Sequence, residues 1–140
     1  MASTHKAVRL TLAVAGVAFL AGMYVNQRVV DAQSRNRVFE LRTYTTTDGK
    51  VQQLVKRHRD GAIPLFTKHG MSLVGFWIPA DSPRSTDTLT YVLAHASRES
   101  AEAGWKAFLA DPGRNEFEHE PIVKSVERVF LSPTDFSPIK

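Results

Sequence analysis

The chain has 140 residues, of which 43% are hydrophobic and 23% are charged, and its formal net charge is +4 at pH 7. This length accommodates one compact domain, and the ordinary composition excludes a disordered chain and a coiled coil as descriptions of the whole protein. The sequence has no cysteine, which excludes disulfides, thiolate metal sites and a cysteine nucleophile.

The N-terminal segment, residues 1–32, has the layout of a secretory signal. A basic start at His5–Arg9 precedes a mostly apolar run over residues 10–25. The small residues at both ends of Val30–Ala32 predict cleavage before Gln33, which gives a secreted or periplasmic protein. The alternative is an uncleaved membrane anchor whose basic end stays in the cytoplasm. Membrane contact is expected only through this segment.

A polar linker at residues 33–37 separates this segment from a folded domain predicted at residues 38–132. Val38–Thr45 alternates and is rich in residues that favour strands, so it is predicted to be the first strand. Asp48 is placed to cap the helix that follows, because its side-chain oxygen can accept from a free backbone N–H. Residues 133–140 are predicted to be an irregular C-terminal tail.

A long helix follows the first strand in this prediction. Apolar and half-apolar residues recur at helical spacing along one stripe: Val51, Leu54, Val55, His58, Ala62, Leu65, Phe66 and His69. Gly61 and Pro64 interrupt the pattern and predict a kink, because proline lacks a backbone donor and clashes with the preceding turn. Gly70 is well placed to end the helix.

The second half of the domain is predicted to repeat the pattern of strand and helix. Met71–Ile78 is apolar on both faces, as in a strand covered on both sides, and Thr88–His95 is the third strand. Ser97 is placed to cap a second helix. Ile122–Leu131 is the last strand. The buried stripe of the second helix is expected to comprise Ala101, Trp105, Phe108 and Leu109. The element order βαββαβ predicts an α+β, ferredoxin-like domain.

The second strand is the basis for predicting a homodimer. Two helices cover only one face of a four-stranded sheet, so a monomer should keep the other face polar. Neither face of the second strand is polar. One face carries Leu73, Gly75 and Trp77, and the other carries Val74, Phe76 and Ile78. A second copy packed sheet to sheet would cover the remaining apolar face.

Several short segments resemble the NIPSNAP domain in their order and spacing. They are Phe39–Thr45, Gly49–Lys50, Ala62–Phe66, Lys68–Gly70, Leu73–Trp77 and Ala110–Pro112. The resemblance implies a dimeric α/β barrel, an architecture shared with antibiotic-biosynthesis-type monooxygenases and haem-degrading enzymes. The better-known animal members are mitochondrial adaptor proteins, and the export-like N-terminal segment argues against carrying that role over.

The first strand carries the main candidates for ligand binding. Glu40, Arg42 and Tyr44 share one face of this strand, and we expect that face to line the cavity of the barrel. A carboxylate, a guanidinium and a phenol in a half-closed cavity could bind a small anion or polarise a carbonyl. The alternative is a structural ion pair of Arg42 with Glu40 or Glu127. The candidate cavity is completed by residues of the later strands: Trp77, Tyr91 and His95.

The histidines indicate a metal or haem site only weakly. His58 and His69 fall on the buried stripe of the first helix, where a neutral imidazole needs one hydrogen-bond partner. His119 lies in an acidic segment that lacks the spacing of a metal site. The haem-degrading relatives need an axial histidine, and His58 or His119 could serve as this ligand. They usually also have a polar residue on the first strand near the haem, and the first strand of this chain offers no asparagine for that position. We therefore predict no metal and no cofactor.

No arrangement of residues forms a recognisable catalytic motif, so the sequence leaves two functions open. The first is an exported, non-catalytic protein that binds a small ligand or a partner through its dimer. The second is a cofactor-free or haem-dependent monooxygenase-like enzyme whose apolar cavity is lined by Trp77, Tyr91, Phe76 and Tyr44. Nucleic-acid binding is not expected, because the basic cluster Lys56, Arg57 and Arg59 has no interleaved aromatic residues.

Overall fold

The computed structural model describes residues 37–118 and 120–140. Over these residues the protein is a four-stranded antiparallel sheet with its helices packed on one face. The strands are β1 (Val38–Thr46), β2 (Ser72–Trp77), β3 (Thr88–His95) and β4 (Val123–Leu131). They lie in the order β2-β3-β1-β4, which with the two intervening helical regions is the ferredoxin-like arrangement. The predicted α+β class and element order are confirmed.

The first helical region is continuous but not uniformly α-helical. It runs through α1 (Val51–Arg57), a π-helical segment (His58–Ala62) and α2 (Ile63–Lys68). The second region is α3 (Arg98–Ala110). Short 3₁₀ turns precede β3 and follow α3, at Arg84–Thr86 and Pro112–Glu116. Where a kink was predicted at Gly61 and Pro64, the structure has a π-helical segment that contains Gly61, and Pro64 follows it in the first turn of α2.

The π-helical segment accommodates an aromatic side chain from a distant part of the chain. The ring of Phe117 lies so close to Gly61 that a methyl group at that position would overlap it. Because glycine has no side chain, the loop after α3 can pack directly on the first helical region. This contact joins the two ends of the helical layer.

Two of the three residues predicted to cap or end a helix do so in the structure. Ser97 caps α3 as predicted, and Ser97 and Ser100 form a reciprocal capping box. Gly70 has the expected left-handed backbone after α2, with φ of 74°. Asp48 does not cap the first helix, because the helix begins later and Lys50 occupies the N-cap position without a side-chain hydrogen bond.

The core lies between the helices and one face of the sheet. Its larger cluster joins buried aromatic and aliphatic residues of both helical regions and β3: Ala62, Phe66, Met71, Tyr91, Leu93, Trp105 and Phe108. A second cluster forms at one end of the sheet from Val51, Leu54, Leu89 and Ile122. Leu109 was predicted in the buried stripe of α3, but it is 58% exposed. Gly104 occupies the buried face instead, where Met71 and the backbone of His69 pack against it.

The other face of the sheet, which we call the open face, has an apolar row at its centre beside a more polar row in which Thr43 pairs with Thr90 and with Glu127. Leu41 of β1 pairs with Val92 on one side and with Val129 on the other, so these three side chains form an apolar row. Trp77 pairs with Thr90 on the same face, and its indole lies against Gly75. Trp77 and Val129 are 53% and 49% exposed. The open face is thus the apolar surface that the second strand indicated.

One detail of that strand differs from the expected alternation. The pairing of β2 with β3 shifts between Leu73 and Gly75, so the strand contains a bulge rather than a regular two-residue repeat. The predicted signal or anchor at residues 1–32 lies outside the described residues, as do residues 33–36 of the predicted linker and His119. Among the residues that the structure does describe, no helix is long and apolar enough to cross a membrane.

Candidate functional site

Glu40 is the centre of a buried polar cluster beneath α3. Its side chain is fully buried. One carboxylate oxygen, Oε2, accepts hydrogen bonds from His95 Nε2 at 2.9 Å and from Trp105 Nε1 at 2.6 Å. The other oxygen, Oε1, lies 3.0 Å from Arg42 Nε and 4.0 Å from Arg128 Nε. These atoms form ion pairs without good hydrogen-bond geometry, since Oε1 and Arg42 Nε both lack a hydrogen-bond partner among the described residues.

The protonation of Glu40 follows from these contacts. Burial by itself raises the pKa of the carboxyl, because it disfavours the charged form. The hydrogen bonds from His95 and Trp105, together with the charge of Arg42, outweigh burial and lower the pKa overall. Glu40 is therefore a buried carboxylate near neutral pH, and its negative charge holds Arg42 in place.

Arg42 extends from this cluster toward the surface. Its guanidinium carbon lies 3.7 Å from the centroid of the Trp105 ring, so the cation stacks on the indole. Arg42 Nη1 donates to the hydroxyl of Tyr44 at 3.1 Å. The side chain is 15% exposed, and its contacts with Glu40, Tyr44 and Tyr91 use at most three of the five guanidinium N–H groups. Arg42 consequently keeps N–H groups that a ligand can use.

The hydroxyl of Tyr44 also has a hydrogen that is free to donate. Tyr91 is fully buried, and the only acceptor that its hydroxyl meets among the described residues is the Tyr44 oxygen at 3.2 Å. Tyr91 must then donate, because a buried hydroxyl without an acceptor is costly. Tyr44 accepts from both Arg42 and Tyr91, which leaves its own O–H to donate elsewhere. Burial also raises the pKa of Tyr91 well above its usual value, so Tyr91 stays protonated.

Arg42 and Tyr44 both line a cleft of about 610 Å³ between α3 and strands β1 and β4, which we call the Arg42 cleft. Two further arginines line it, but each has a carboxylate partner: Arg114 pairs with Glu118 and Arg128 pairs with Glu102. Lys106 adds a cation for which the structure gives no carboxylate partner among the described residues. The cleft also has apolar walls, formed by Trp105, Phe108, Leu109 and Ala110. Its chemistry suits a small molecule with an anionic or carbonyl oxygen and an apolar body.

The structure separates the predicted site residues into two groups. Glu40, Arg42, Tyr44, Tyr91 and His95 lie together on the face of the sheet that the helices cover. The expectation that this face lines a cavity between two sheets was therefore wrong: α3 packs over it, and Leu41 and Thr43 point to the open face. Alternation defines two faces of a strand but does not say which one meets the helices.

Trp77 does not belong to the same site. It lies on the open face, while its neighbour Phe76 stacks on Tyr91 with 4.6 Å between ring centroids. The predicted ion pair of Arg42 is made with Glu40, whereas Glu127 pairs with Thr43 across the open face and is exposed.

Apart from Arg42 and Tyr44, the residues that line the cleft were not predicted as site residues, among them Trp105 and Arg128. Trp105 was expected only as part of the core. Its N–H donates to Glu40, which is 65 positions away, so no local sequence pattern indicates this hydrogen bond. Arg128 could have been found by pairing the strands, since it stands directly opposite Arg42 in β4. Two adjacent arginines on one face require nearby carboxylates, and Glu40 and Glu102 supply them.

The histidines have structural partners of different kinds. His69 Nε2 lies 2.8 Å from Asp111 Oδ2, and Lys68 Nζ approaches the same oxygen at 2.6 Å. Lys68, the backbone N–H of Gly113 and His69 lower the pKa of Asp111 well below its usual range. This cluster ties the end of α2 to the end of α3. Among the residues that the structure describes, no three His, Asp or Glu side chains are grouped so that they could hold a metal ion.

Comparisons with known proteins identify the fold and the family. A family model described as NIPSNAP matches residues 39–138. A NIPSNAP family protein of unknown function from Agrobacterium tumefaciens is 21% identical, with a TM-score of 0.67 over 76% of this chain and 96% of that chain. An uncharacterised NIPSNAP domain protein from Burkholderia xenovorans is 27% identical, with a TM-score of 0.63 over 72% and 98%.

The fold extends beyond these proteins. A putative antibiotic biosynthesis monooxygenase from Bacteroides thetaiotaomicron is 15% identical, with a TM-score of 0.50 over 71% of this chain and 91% of that chain. At this identity the likeness concerns the fold alone. No curated protein matches the chain.

Proposed function

Because the chain belongs to the NIPSNAP family, whose model matches residues 39–138, we propose that it is a small-molecule binding protein whose ligand is an organic acid held in the Arg42 cleft. One observation carries this proposal: Arg42 and Tyr44 each keep an unused donor at the cleft. Paired donors of this kind, one of them charged, match the two oxygens of a carboxylate. The apolar walls of the cleft suit the body of an aromatic or aliphatic acid.

The arrangement behind the two donors fixes their positions. Glu40 and the face of Trp105 hold the guanidinium, and Tyr91 holds the Tyr44 oxygen. A ligand therefore meets groups that lose little freedom on binding, which lowers the entropic cost of association. Lys106 contributes a further positive charge at the cleft and favours an acid over a neutral molecule.

Benzoate is expected to bind wild-type protein and raise its melting temperature, whereas benzamide is expected to have a much smaller effect. Arg42→Met should weaken benzoate binding about tenfold to hundredfold, since it removes a charge-assisted hydrogen bond worth about 1.5–3 kcal/mol. Titration calorimetry at fixed protein concentration measures both affinities. Tyr44→Phe, which leaves every charge in place, should weaken binding by about threefold to tenfold.

Lys56→Met is the matched control, because it removes an exposed cation that does not line this cleft. It should leave benzoate binding unchanged. If Lys56→Met weakens binding as much as Arg42→Met does, the acid is attracted only by the general positive charge of the protein. If benzoate and benzamide bind equally to all four proteins, the proposal for the Arg42 cleft is wrong.

A second proposal concerns assembly: two copies pack through their open faces to form a homodimeric α/β barrel. The apolar row of Leu41, Val92 and Val129, together with exposed Trp77, supports it. Sheets pack face to face about 10 Å apart, and a two-fold axis lets the same row meet itself. The cleft opens on the other side of each sheet, so dimerisation leaves it accessible.

Val129→Glu is expected to convert the dimer to a monomer at micromolar concentration. A charge introduced at an apolar interface without a partner costs several kcal/mol, which raises the dissociation constant at least about a hundredfold. The same residue is half exposed in one protomer, so the protomer should stay folded. Sedimentation equilibrium measures the mass, and Gln52→Glu on the exposed side of α1 is the control. A wild-type protein that is monomeric throughout this range would disprove the dimer.

A third proposal concerns location: the folded domain acts outside the cytoplasm. The basic start and the apolar run over residues 10–25 support it. The mature chain is expected to begin at Gln33 if the segment is cleaved, and mass spectrometry of the protein purified from its own cells measures this end. Intact, soluble protein in the cytoplasm with residues 1–32 still attached would contradict both the signal and the anchor.

A cofactor-free enzyme is the second candidate function. The same two donors would also stabilise the negative charge that develops on a carbonyl oxygen when solvent water, acting as the base, removes an α-proton from a bound keto acid to form an enolate. Exchange of the α-protons of a bound keto acid with deuterium, followed by NMR, separates the two functions. Exchange that depends on Tyr44 favours the enzyme, and binding without exchange favours the binding protein.

A further inference from the structure

A second cleft lies beside the π-helical segment and shares no lining residue with the Arg42 cleft. It has a volume of about 390 Å³. Its walls are mostly apolar. The first helical region contributes Val55, His58, Arg59 and Ile63. The strands contribute Phe76 and Trp77 of β2, Ile78 directly after β2, and Leu89 of β3. We call it the His58 cleft, because His58 is the lining residue that is both polar and buried, with 5% of its surface exposed.

The hydrogen-bonding state of His58 follows from its backbone contact. His58 Nδ1 lies 3.0 Å from the carbonyl oxygen of Leu54. A carbonyl oxygen can only accept, so Nδ1 carries the hydrogen and donates. Burial lowers the pKa of the imidazole, which keeps it neutral near neutral pH. In a neutral imidazole whose Nδ1 is protonated, Nε2 has a lone pair and can only accept.

No described residue donates a hydrogen bond to that lone pair. The rings around His58 are Tyr44, Phe66, Phe76 and Tyr91, with centroids 5.3–6.2 Å away. The two phenyl rings have no donor. Tyr91 donates its hydroxyl hydrogen to Tyr44, and the hydroxyl of Tyr44, whose hydrogen is free, lies at the Arg42 cleft and makes no hydrogen bond to His58. His58 thus offers a hydrogen-bond acceptor in a cleft whose walls are mostly apolar.

The backbone at this point is also unusual. The π-helical segment begins at His58, between two α-helical stretches. Such segments are rare, and they occur often at functional sites because the extra residue re-aims a side chain. Here the segment carries His58 at its start and places Arg59 at the rim of the cleft. Arg59 is exposed, so the interior of the cleft has no charged group.

We propose that the His58 cleft binds a small neutral aromatic alcohol of the phenol class, whose hydroxyl donates to His58 Nε2. The ring of such a ligand would pack between Phe76 and the aliphatic side chains of Ile63 and Leu89. This site is separate from the acid site in the Arg42 cleft and does not depend on it. A carboxylic acid is disfavoured in the His58 cleft, because its charge would lose water there and meet an acceptor.

The test uses the full chain, with 4-methylphenol and 4-methylanisole as probes. The two molecules share the same ring, but methylation removes the hydroxyl donor. Wild-type protein is expected to bind 4-methylphenol about threefold to tenfold more tightly than 4-methylanisole, which is the effect of one hydrogen bond. In NMR spectra of ¹⁵N-labelled imidazole groups, 4-methylphenol should shift Nε2 of His58, and Nδ1 should already be the protonated nitrogen in the free protein.

His58→Phe is the matched variant, since it keeps a flat ring in the aromatic cluster and removes the acceptor. The carbonyl of Leu54 remains satisfied, because it also accepts from the backbone N–H of residue 58. The preference for 4-methylphenol should disappear in this variant. His58→Gln, which keeps an acceptor, is a second variant should the phenylalanine disturb folding, and it should retain part of the preference.

The proposal would be overturned by no binding of either probe at millimolar concentration, by equal binding of the two probes to wild-type protein, or by an unchanged preference in His58→Phe. A benzoate competition keeps the two sites distinct. Benzoate at saturation should not displace 4-methylphenol, and Arg42→Met should leave the 4-methylphenol affinity unchanged. Failure of benzoate to bind would reject only the acid site, and displacement by benzoate would show one shared site and reject the His58 cleft.

Discussion

Replacing Glu40 by glutamine is expected to lower the free energy of unfolding by about 3–5 kcal/mol, the usual cost of removing one member of a buried ion pair. The glutamine can keep one hydrogen bond, but Arg42 loses its counter-charge while it remains mostly buried against Trp105. His95 loses the carboxylate that it faces at 2.9 Å. Urea unfolding at fixed protein concentration, followed by far-UV circular dichroism, measures the change.

Glu102→Gln is the control for Glu40→Gln, because both carboxylates approach Arg128. Glu102 is 53% exposed, and water screens its pair, so the control should change stability by no more than about 1 kcal/mol. Equal effects of the two substitutions would show that burial of Glu40 does not matter. This outcome would contradict the role given to the buried cluster.

The effect of Glu40→Gln on stability is expected to depend on pH. The pKa of Glu40 is lower in the folded protein than its ordinary value of about 4.3, so the carboxylate stabilises the fold above about pH 4.3. That contribution is lost as the pH falls through the lowered pKa. The stability difference between wild type and Glu40→Gln should therefore be constant from about pH 5 to 7 and should narrow in more acidic solution.

Replacing Trp105 by alanine is the second large effect, with an expected loss of about 3–5 kcal/mol. The indole packs edge-on against Phe66 and Phe108, each with 5.4 Å between ring centroids. Its N–H donates to Glu40, and its face supports Arg42. The substitution removes core packing and also leaves a wall of the Arg42 cleft missing, so benzoate binding should be lost together with stability.

Trp105→Phe separates packing from hydrogen bonding. The smaller ring keeps most of the aromatic contacts but cannot donate to Glu40, so its expected cost is about 1–3 kcal/mol. Thermal and urea unfolding of the three proteins give the order wild type, Trp105→Phe, Trp105→Ala. A cost below about 1 kcal/mol for the alanine variant would show that the side chain is not part of the core.

The position of the candidate site could be predicted only in part. The alternation of β1 grouped Glu40 with Arg42 and Tyr44, and the alternation of β3 grouped Tyr91 with His95, because strand geometry is local and has a period of two residues. The partners across the site could not be found in this way. Trp105 comes from a helix, and its contact with Glu40 depends on how that helix crosses the sheet.

The sequence by itself determined the element order and the fold class of this protein, because turn residues, caps and periodicity act over a few residues. It also determined that β2 is apolar on both faces. Only the tertiary structure decided which face of β1 the helices cover, and hence that Arg42 and Tyr44 line a cleft beneath α3. The alternation of β1 is the same whichever of its two faces the helices cover. Which face they cover depends on long-range contacts such as the hydrogen bond from Trp105 to Glu40.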